Sequence, residues 1–390
     1  MADHKLPTGK TLADDFDITR IDFGRRRDRN RFIDVPFHLY APDSNWAPPL
    51  RVSLSALLNP DKNPFWKHAE IEGYIATRGG QPVGRVAAIV NRAHNEFHED
   101  TVGFFGYFEC GEEQDVTDAL FNRAATWLTA RGMTVMRGPA SPSTNDECGL
   151  LVDSFDKPPL IMMPYNPPYY AALIETHGLT KAMDLYAYWM RTHGGMSDRV
   201  LRLAEALKKR ARATMRNIDL KNIEAELEII HAIYHRSWEK NWGFVPLTDE
   251  EFQHAADDLK QVADPHCALI IEVDDEPVAF GLALLDINQV MAKIPSGRLL
   301  PMGWWKLWRG IPKIDAVRVA LLGVVPEFRG RGFDAMMYAH MHNIAGEVGK
   351  VGGEFSWILE TNDAMRDGVA GMGGHHYKTY RMYDMPLNDA

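Results

Sequence analysis

The chain has 390 residues, of which 45% are hydrophobic and 25% charged, and a formal net charge of −10. This length predicts two domains, the composition is that of an ordinary globular protein, and the acidic balance argues against a nucleic-acid partner. Cys110, Cys148 and Cys267 are too few and too widely spaced for a disulfide framework or a CxxC metal site, which favours a reducing, cytoplasmic setting. The N-terminus lacks the apolar core of a secretory signal, and no apolar run approaches the ~20 residues of a membrane span. We therefore expect a cytoplasmic protein that touches a membrane only peripherally, at its inner face.

The first half of the chain predicts alternating strands and helices. Prolines in residues 35–50 argue against a long helix there. Beyond them, residues 73–91 have the pattern of a β-hairpin around a Gly-Gly turn. The elements predicted next are a strand, a helix, a strand, a Pro-initiated helix and a strand, over residues 101–110, 115–133, 134–141, 165–179 and 182–190.

A basic amphipathic helix is predicted between the halves. Residues 197–216 have Ser197 as N-cap, an apolar stripe at helical spacing, and seven Lys or Arg against two acids on the remaining positions. Two interpretations stay open: a solvated linker leaning on an acidic domain, or a contact with anionic lipid or phosphate.

The second half repeats the element order of the first. QPVGRVAAIVN (81–91) and EPVAFGLALLDIN (276–288) align by eye. The second-half elements are predicted over residues 222–240, 248–262, 267–288, 315–326, 335–349, 353–362 and 377–387. We therefore predict an α/β (α+β) chain made of two copies of one domain.

A turn with two glycines, in VVPEFRGRGFDAM (324–336), lies between a predicted strand and helix. Exposed N–H groups at such a helix start favour an anion. The chain contains no Walker sequence GxxxxGK[ST], and Ala335 stands where a Rossmann GxGxxG would need its third glycine. Both nucleotide-binding motifs are therefore excluded for this turn.

The turn resembles the pyrophosphate loop of the GCN5-related N-acetyltransferase (GNAT) superfamily: a strand ending V-x-P, then Arg or Gln, Gly, any residue, Gly. The resemblance covers about residues 222–388 with this motif and 60–190 without it, because residues 108–117 read FECGEEQDVT in the matching place. It implies two tandem GNAT-like domains, each a mixed, mostly antiparallel sheet flanked by helices: 1–195, then a linker helix (196–221), then 222–390 with the one acyl-CoA site and no metal. The residues implied to bind acyl-CoA are Val324, Val325, Phe328, Arg329, Gly330, Arg331, Gly332, Phe333 and Asp334; the family usually has Gly or Ala in place of the last.

The whole chain further resembles the bacterial ceramide synthase group, which implies a long-chain acyl-CoA donor and the amine of a sphingoid-type base as acceptor. Three stretches are candidates for substrate contact: 141–170, the aromatic loop 241–247, and the insertion 291–314, where Trp alternates with Lys and Arg. The insertion is a lid over an alkyl chain, an interfacial anchor, or a helix packed on the first domain. The candidate substrate residues are Tyr165, Asn166, Tyr169, Asn241, Trp242, Phe244, Trp304 and Trp305, with Asn145 and Glu147 as weaker ones.

The catalytic acid and base are harder to predict. The tyrosine that commonly protonates the leaving thiolate in this superfamily falls at Val369, which cannot do so. The ionisable candidates near the end of the chain are Glu360, Asn362, His375, His376 and Tyr377. Three alternatives to ceramide synthesis stay open: acylation of another amine, a non-catalytic acyl-CoA sensor, and a Fem-like transferase using aminoacyl-tRNA, which the net charge and the intact loop argue against.

Overall fold

The computed structural model describes residues 16–40, 44–219, 222–238 and 241–387. Within them, thirteen strands form one continuous sheet that runs through both halves of the chain. The first-half strands are β1 (Asp17–Ile21), β2 (Ala69–Arg78), β3 (Gln81–Asn91), β4 (Val102–Cys110), β5 (Val135–Gly138), β6 (Ala140–Ser141), β7 (Glu147–Cys148), β8 (Leu150–Leu151) and β9 (Thr180–Arg191). The second-half strands are β10 (Ala213–Asn217), β11 (Ala263–Val273), β12 (Glu276–Leu285), β13 (Ala316–Val324), β14 (Gly352–Leu359) and β15 (His375–Pro386). Apart from β6 and β7, which pair with each other, all of them belong to this sheet.

The described chain has twelve α-helices. They are α1 (Arg26–Leu39), α2 (Arg51–Leu57), α3 (Arg92–His98), α4 (Gln114–Thr129), α5 (Tyr170–His177), α6 (Asp198–Ala211), α7 (Ile223–Trp238), α8 (Asp249–Leu259), α9 (Asn288–Met291), α10 (Gly303–Gly310), α11 (Phe333–Glu347) and α12 (Asp363–Gly371). Six of the twelve (α4, α5, α6, α7, α8 and α11) lie where they were predicted, with shifted ends, and α5 begins at Tyr170 rather than at 165. Helix α6 has its predicted N-cap, Ser197, but ends at Ala211 rather than at 216, because Arg212 is left-handed (φ 51°) and the chain continues as the edge strand β10.

A helix also runs into the proline-rich stretch, against the sequence expectation. Pro36 lies inside α1 and cannot donate to the carbonyl of Phe32, four residues earlier. Arg85 Nη1 donates to that carbonyl instead, at 2.8 Å. The buried guanidinium thus satisfies the acceptor that the proline leaves open, and the helix continues to Leu39.

The closing strands of the two halves are exchanged. The sheet order is β1-β2-β3-β4-β5-β15-β9-β14-β13-β12-β11-β10. The last strand, β15, therefore pairs with β5 of the first half, while β9 pairs with β14 of the second. The two exchanged strands pair with each other at the centre of the sheet. Each half is completed by a strand from the other.

The only parallel pairs in the described sheet are β4–β5 and β13–β14, and both part after a few residues. Strand β13 leaves β14 after Val319 but stays paired with β12 as far as Val324. The equivalent gap in the first half is filled by the chain itself: Ala140 lies against Gly106, where a Cβ would meet the Ala140 carbonyl oxygen. One gap is filled by the chain's own backbone, and the other opens into a cavity.

Candidate functional site

The glycine turn after β13 has the backbone that an anion loop needs. Gly330 (φ +72°) and Gly332 (φ +82°) are both left-handed, a conformation that favours glycine. Gly332 is the N-cap of α11 and offers no side-chain cap, so the first N–H groups of the helix are not taken by a capping side chain. The predicted acyl-CoA loop therefore has a fitting local geometry.

The other loop residues have separate tasks. Arg329 donates to the carbonyls of Val324 (3.2 Å) and Ser237 (2.6 Å), which ties the turn to α7. Val325 N–H donates to Val278 O at 3.0 Å, so this N–H is not available to a thioester carbonyl. Asp334 is exposed on the first turn of α11, where a negative charge interacts favourably with the helix dipole.

The remaining predicted loop residues are aromatic or basic. Phe333 is buried and packs edge-on against Phe328, with ring centroids 5.8 Å apart. Arg331 lies over the Phe328 ring at 4.6 Å. The basic helix α6 reaches the same loop: Leu207 is so near Gly332 that a Cβ there would lie 2.7 Å from its Cδ1. The aromatic pair and α6 thus support the turn on both sides.

A cavity of about 910 Å³ opens where β13 and β14 part, and both halves of the chain line it. A bulge at Ala320, where β13 has one residue more than β12, puts Ala320 and Leu321 in its wall. Trp357 and Leu359 of β14 line the opposite side. This volume is near the upper end of small-molecule sites, and the wall is mostly apolar.

Two adjacent acids, Asp146 and Glu147, face this cavity from the first half. Ser143 Oγ donates to Asp146 at 2.7 Å, whereas the Glu147 carboxylate has no hydrogen-bond or ion-pair partner among the described residues. Burial raises the pKa of Asp146 to about 7, and the charge of Glu147 adds to the rise. Glu147 is exposed to the cavity, and the loss of hydration there raises its pKa, against the opposing charge of Arg318. A carboxylate that titrates near neutrality and faces a cavity is a candidate base.

The segment carrying these acids is bonded to the aromatic loop 241–247. Thr144 Oγ1 donates to the Gly243 carbonyl at 2.7 Å, and Asn145 Nδ2 donates to the Val245 carbonyl at 3.2 Å. Acids from one half and aromatic rings from the other therefore meet at one wall.

Tyr107, on β4, lines the cavity in a strained conformation. Its φ of +53° is rare for a residue with a side chain, and its buried hydroxyl has no partner among the described residues. Burial, followed by the charges of Asp146 and Glu147, raises its pKa well above the usual value. The hydroxyl is therefore kept protonated near the acid pair.

A second set of buried polar side chains lies in the part of the cavity wall that the first half of the chain supplies. Arg85 contacts Glu109 at 3.4 Å, and Tyr170 Oη donates to the same carboxylate at 2.9 Å. Burial raises the pKa of Glu109 despite the Arg85 charge. Because these groups satisfy one another, they form a polar wall rather than a free acid.

Five of the eight predicted substrate residues line the cavity: Tyr165, Asn166, Asn241, Trp242 and Phe244. Asn166 bonds both the N–H and the C=O of Leu151, so its amide is occupied. The other three lie outside the cavity wall: Tyr169, Trp304 and Trp305. Tyr169 donates to the Cys110 carbonyl instead, at 3.1 Å.

The predicted catalytic residues near the end of the chain lie away from the cavity wall, and each already has a partner or is exposed. Glu360 accepts from Lys181 at 2.7 Å and from the Asp184 N–H at 3.0 Å. Asn362 caps α12 by accepting from Met365 N–H, and Val369, where the family's tyrosine would stand, is buried.

The three residues at the start of β15 are placed similarly. His376 Nε2 lies 2.9 Å from the Lys378 carbonyl, and His375 is exposed. The Tyr377 hydroxyl donates to the buried Glu354. A catalytic role for any of these residues stays a prediction.

The insertion 291–314 contains α10 and packs on the first half at its base. Arg51 N–H donates to the Gly297 carbonyl at 2.9 Å, and Arg51 Nε donates to the Ser296 carbonyl at 2.7 Å. Trp304 and Trp305 are exposed on α10. The insertion was predicted to be a lid, an interfacial anchor or a helix packed on the first domain. Packing on the first half accounts for residues 296 and 297, but not for the exposed outer face of α10.

Three polar residues that line the cavity, Tyr107, Asp146 and Arg318, were not predicted from the sequence. Tyr107 and Arg318 read as ordinary strand residues, and Asp146 as part of a loop. The available signal was the run Asn145, Asp146, Glu147 inside a Gly- and Pro-rich segment, which the sequence analysis marked only as weak.

Among the described residues, no group of three or more His, Cys, Asp or Glu is placed to hold a metal ion. In the same part of the chain, no helix has the length and apolar character to cross a bilayer.

The chain is similar to two bacterial proteins over nearly all of its length. It is 35% identical to the bacterial ceramide synthase of Caulobacter vibrioides (strain NA1000 / CB15N), a match that covers 98% of this chain and 100% of that protein. Protein YghO of Escherichia coli (strain K12) is 36% identical over 94% of each chain. No protein-family model matches.

Among solved structures, a tandem GNAT protein from the clavulanic acid biosynthesis pathway superposes with a TM-score of 0.54. The superposition covers 96% of this chain and 99% of that one, at 10% identity. At that identity the likeness concerns the fold alone, and it confirms the predicted tandem GNAT architecture.

Proposed function

Because the chain belongs to the bacterial ceramide synthase family, we propose that it is an acyl-CoA-dependent N-acyltransferase that joins a long acyl chain to the amine of a sphingoid-type base. The observation that carries this proposal is the acid pair Asp146 and Glu147 in a large apolar cavity, at the place where the strand leading to the glycine turn leaves its neighbour.

The donor is assigned to the second half. The left-handed Gly330 and Gly332 and the start of α11 suit a diphosphate, and the open gap between β13 and β14 leaves room for the pantetheine arm. In the first half, Ala140 fills the equivalent gap, and Arg78 pairs with Glu113 and Asp115 in the matching turn. This arrangement supports one donor site per chain.

The acceptor is assigned to the wall shared by both halves. Its alkyl chain would lie among the apolar residues of the cavity, and its ammonium beside the acid pair. Trp242 and Phe244 supply flat apolar surface there, with Arg137 stacked on Trp242 at 5.0 Å. A cation placed next to two carboxylates in an apolar cavity is strongly favoured over a neutral group.

The chemistry follows from this placement. Glu147 takes a proton from the acceptor ammonium, and the freed nitrogen bonds to the thioester carbonyl carbon. The nitrogen then gives up a second proton as the carbon–sulfur bond breaks, and this proton goes to the leaving sulfur, so that coenzyme A departs as the free thiol. A carboxylate with a raised pKa is a better proton acceptor than one with an ordinary pKa, which suits Glu147 to this step. The Tyr107 hydroxyl, close enough for the charges of Asp146 and Glu147 to raise its pKa, stays protonated during this step.

Two other functions remain as alternatives. Acylation of a different amine would use the same site with another acceptor. A non-catalytic acyl-CoA sensor is favoured by one observation, the buried Val369 in place of the family's tyrosine.

The compartment and setting are part of the proposal. The three cysteines are free and buried, which suits a reducing cytoplasm. Both proposed substrates are lipidic, so we infer that the protein works peripherally at a lipid surface.

The test is release of free thiol from acyl-CoA donors of graded chain length in the presence of sphinganine. Glu147→Gln should lower kcat by about 10²–10⁴-fold with little change in donor affinity, the usual contribution of a general base. The matched control is Glu276→Gln, which alters an exposed turn residue. Donor binding without thiol release in the wild type would favour the sensor, and release with acetyl but not palmitoyl donors would contradict the lipid assignment.

A further inference from the structure

The outer face of the insertion 291–314 is the most apolar exposed surface in the described chain. Ten large hydrophobic side chains are exposed in the described chain, and six of them lie inside the insertion, between residues 300 and 311: Leu300, Met302, Trp304, Trp305, Trp308 and Ile311. Leu300 is 75% exposed, Trp308 66% and Trp304 54%. Contiguous apolar exposure of this kind marks a surface that another phase or molecule covers.

The same segment is strongly basic in an acidic protein. Residues 291–314 contain five cations and no acid, although the whole chain carries a net charge of −10. The cations are Lys293, Arg298, Lys306, Arg309 and Lys313. Arg309 stacks on Trp305 at 5.4 Å, and Lys306 Nζ donates to the Lys293 carbonyl at 2.5 Å. Apolar rings and cations are therefore interleaved on one short helix.

The insertion is attached to the rest of the chain by several contacts, which argues against a loose lid. Its base is bonded to the first half through Arg51, and Gly310 packs on Val290. Asn288, just before the insertion, donates to the Pro159 and Leu160 carbonyls, and Asn288 and Pro159 also line the cavity. The exposed helix is therefore attached to the cavity wall itself.

We propose that α10 and its flanks dock the protein on an anionic lipid bilayer, with Trp308, Leu300 and Met302 inserted at the level of the headgroups. Trp and Leu suit the interfacial region, and Lys and Arg attract anionic lipid. A second copy of the chain is a poor occupant, because a symmetric contact would set five cations against five. This inference specifies the lipid surface of the proposed function, but it rests on the patch and is tested without catalysis.

The experiment is flotation of the full chain with vesicles of phosphatidylcholine alone or with 30% phosphatidylglycerol. We expect binding to the anionic vesicles that weakens with salt. Arg298→Ala and Lys313→Ala should each reduce the partition constant about fivefold, the factor for ~1 kcal/mol per cation near the surface. Trp308→Ser should reduce it about tenfold, and Leu300→Ser should add to the loss.

The matched controls are Val348→Ser and Val351→Ser, which remove exposed apolar side chains between α11 and β14, outside the insertion 291–314. They should leave vesicle binding unchanged. Wild-type protein that ignores anionic vesicles, or a Trp308→Ser, Leu300→Ser double variant that binds as well as wild type, would overturn the proposal. So would a concentration-dependent dimer that the double variant abolishes. Thiol release from short-chain water-soluble substrates should be equal in wild type and double variant, so that loss of docking is distinguished from failure of the proposed reaction.

Discussion

Asp146→Asn should make the protein more stable and less active, with a gap in stability that depends on pH. Burial and the neighbouring Glu147 raise the pKa of Asp146 from an ordinary value near 3.8 to about 7. A shift of roughly 3 units corresponds to at most ~4 kcal/mol. Because the carboxylate partly contacts the cavity, we halve this figure to about 2 kcal/mol. An acid whose pKa is raised on folding binds its proton more tightly in the folded state, so its contribution to the free energy of unfolding falls as pH rises from about 4 to about 7.

Asparagine cannot ionise, so the variant escapes this loss. Urea unfolding of both proteins at pH 8.5 should show the variant more stable by about 2 kcal/mol, and the gap should be smaller at pH 5.0. Asp61→Asn, at an exposed position, is the control and should change the free energy of unfolding little. Equal stability at pH 8.5, or a gap as large at pH 5.0, would refute the idea that this carboxylate is held at a cost for function. Thiol release measured in the same samples should fall, because the ammonium loses one of its two carboxylates.

Two further predictions concern the donor loop and the buried cations. Gly330→Val should weaken coenzyme A binding at least tenfold in titration calorimetry, because its φ of +72° strains any side chain even though the space there is open. Gly79→Val, at another left-handed turn with open space, is the matched control, and unchanged affinity in the loop variant would mean that the donor site is misplaced. Arg318→Met should lower the free energy of unfolding by about 3–5 kcal/mol, because it removes the ion-pair partner of the fully buried Glu354, 4.0 Å away. Exposed Arg20→Met should cost far less in the same urea experiment, and equal losses would contradict a structural role for Arg318.

Much of the fold could be predicted from local sequence patterns. The hairpins, the helix starts and the glycine turn could be predicted because each depends on residues within one turn of the chain: Gly79 and Gly80, for example, are both left-handed between β2 and β3. The repeat of element order also survived, since it needs only the sequence of strand and helix signals. The end of α6 was wrong by five residues, because nothing nearby announces that Arg212 turns left-handed.

The site could be predicted only where a motif is contiguous. The glycine turn is such a motif, but the acid pair depends on neighbours far along the chain: Glu147 meets the charge of Arg318, from the other half. The sequence around Glu147 does not indicate that Arg318 lies near it, and the reverse is also true. His376 shows how little a titratable side chain in a promising stretch fixes by itself: its Nε2 lies beside the Lys378 carbonyl, and a catalytic role for it stays a prediction.

The exchange of β9 and β15 has a consequence for how the chain is made. During synthesis the first half leaves the ribosome with β5 unpaired on one side, and its partner strand emerges only after residues 375–386 are translated. Until then β9 has neither of its neighbours, β14 and β15. A nascent chain with exposed strand edges of this length is prone to wrong pairing, so folding is coupled to completion of translation and should gain from chaperones that shield those edges. Cutting the chain between the halves would leave each fragment without its closing strand, even though each contains a full set of the remaining elements.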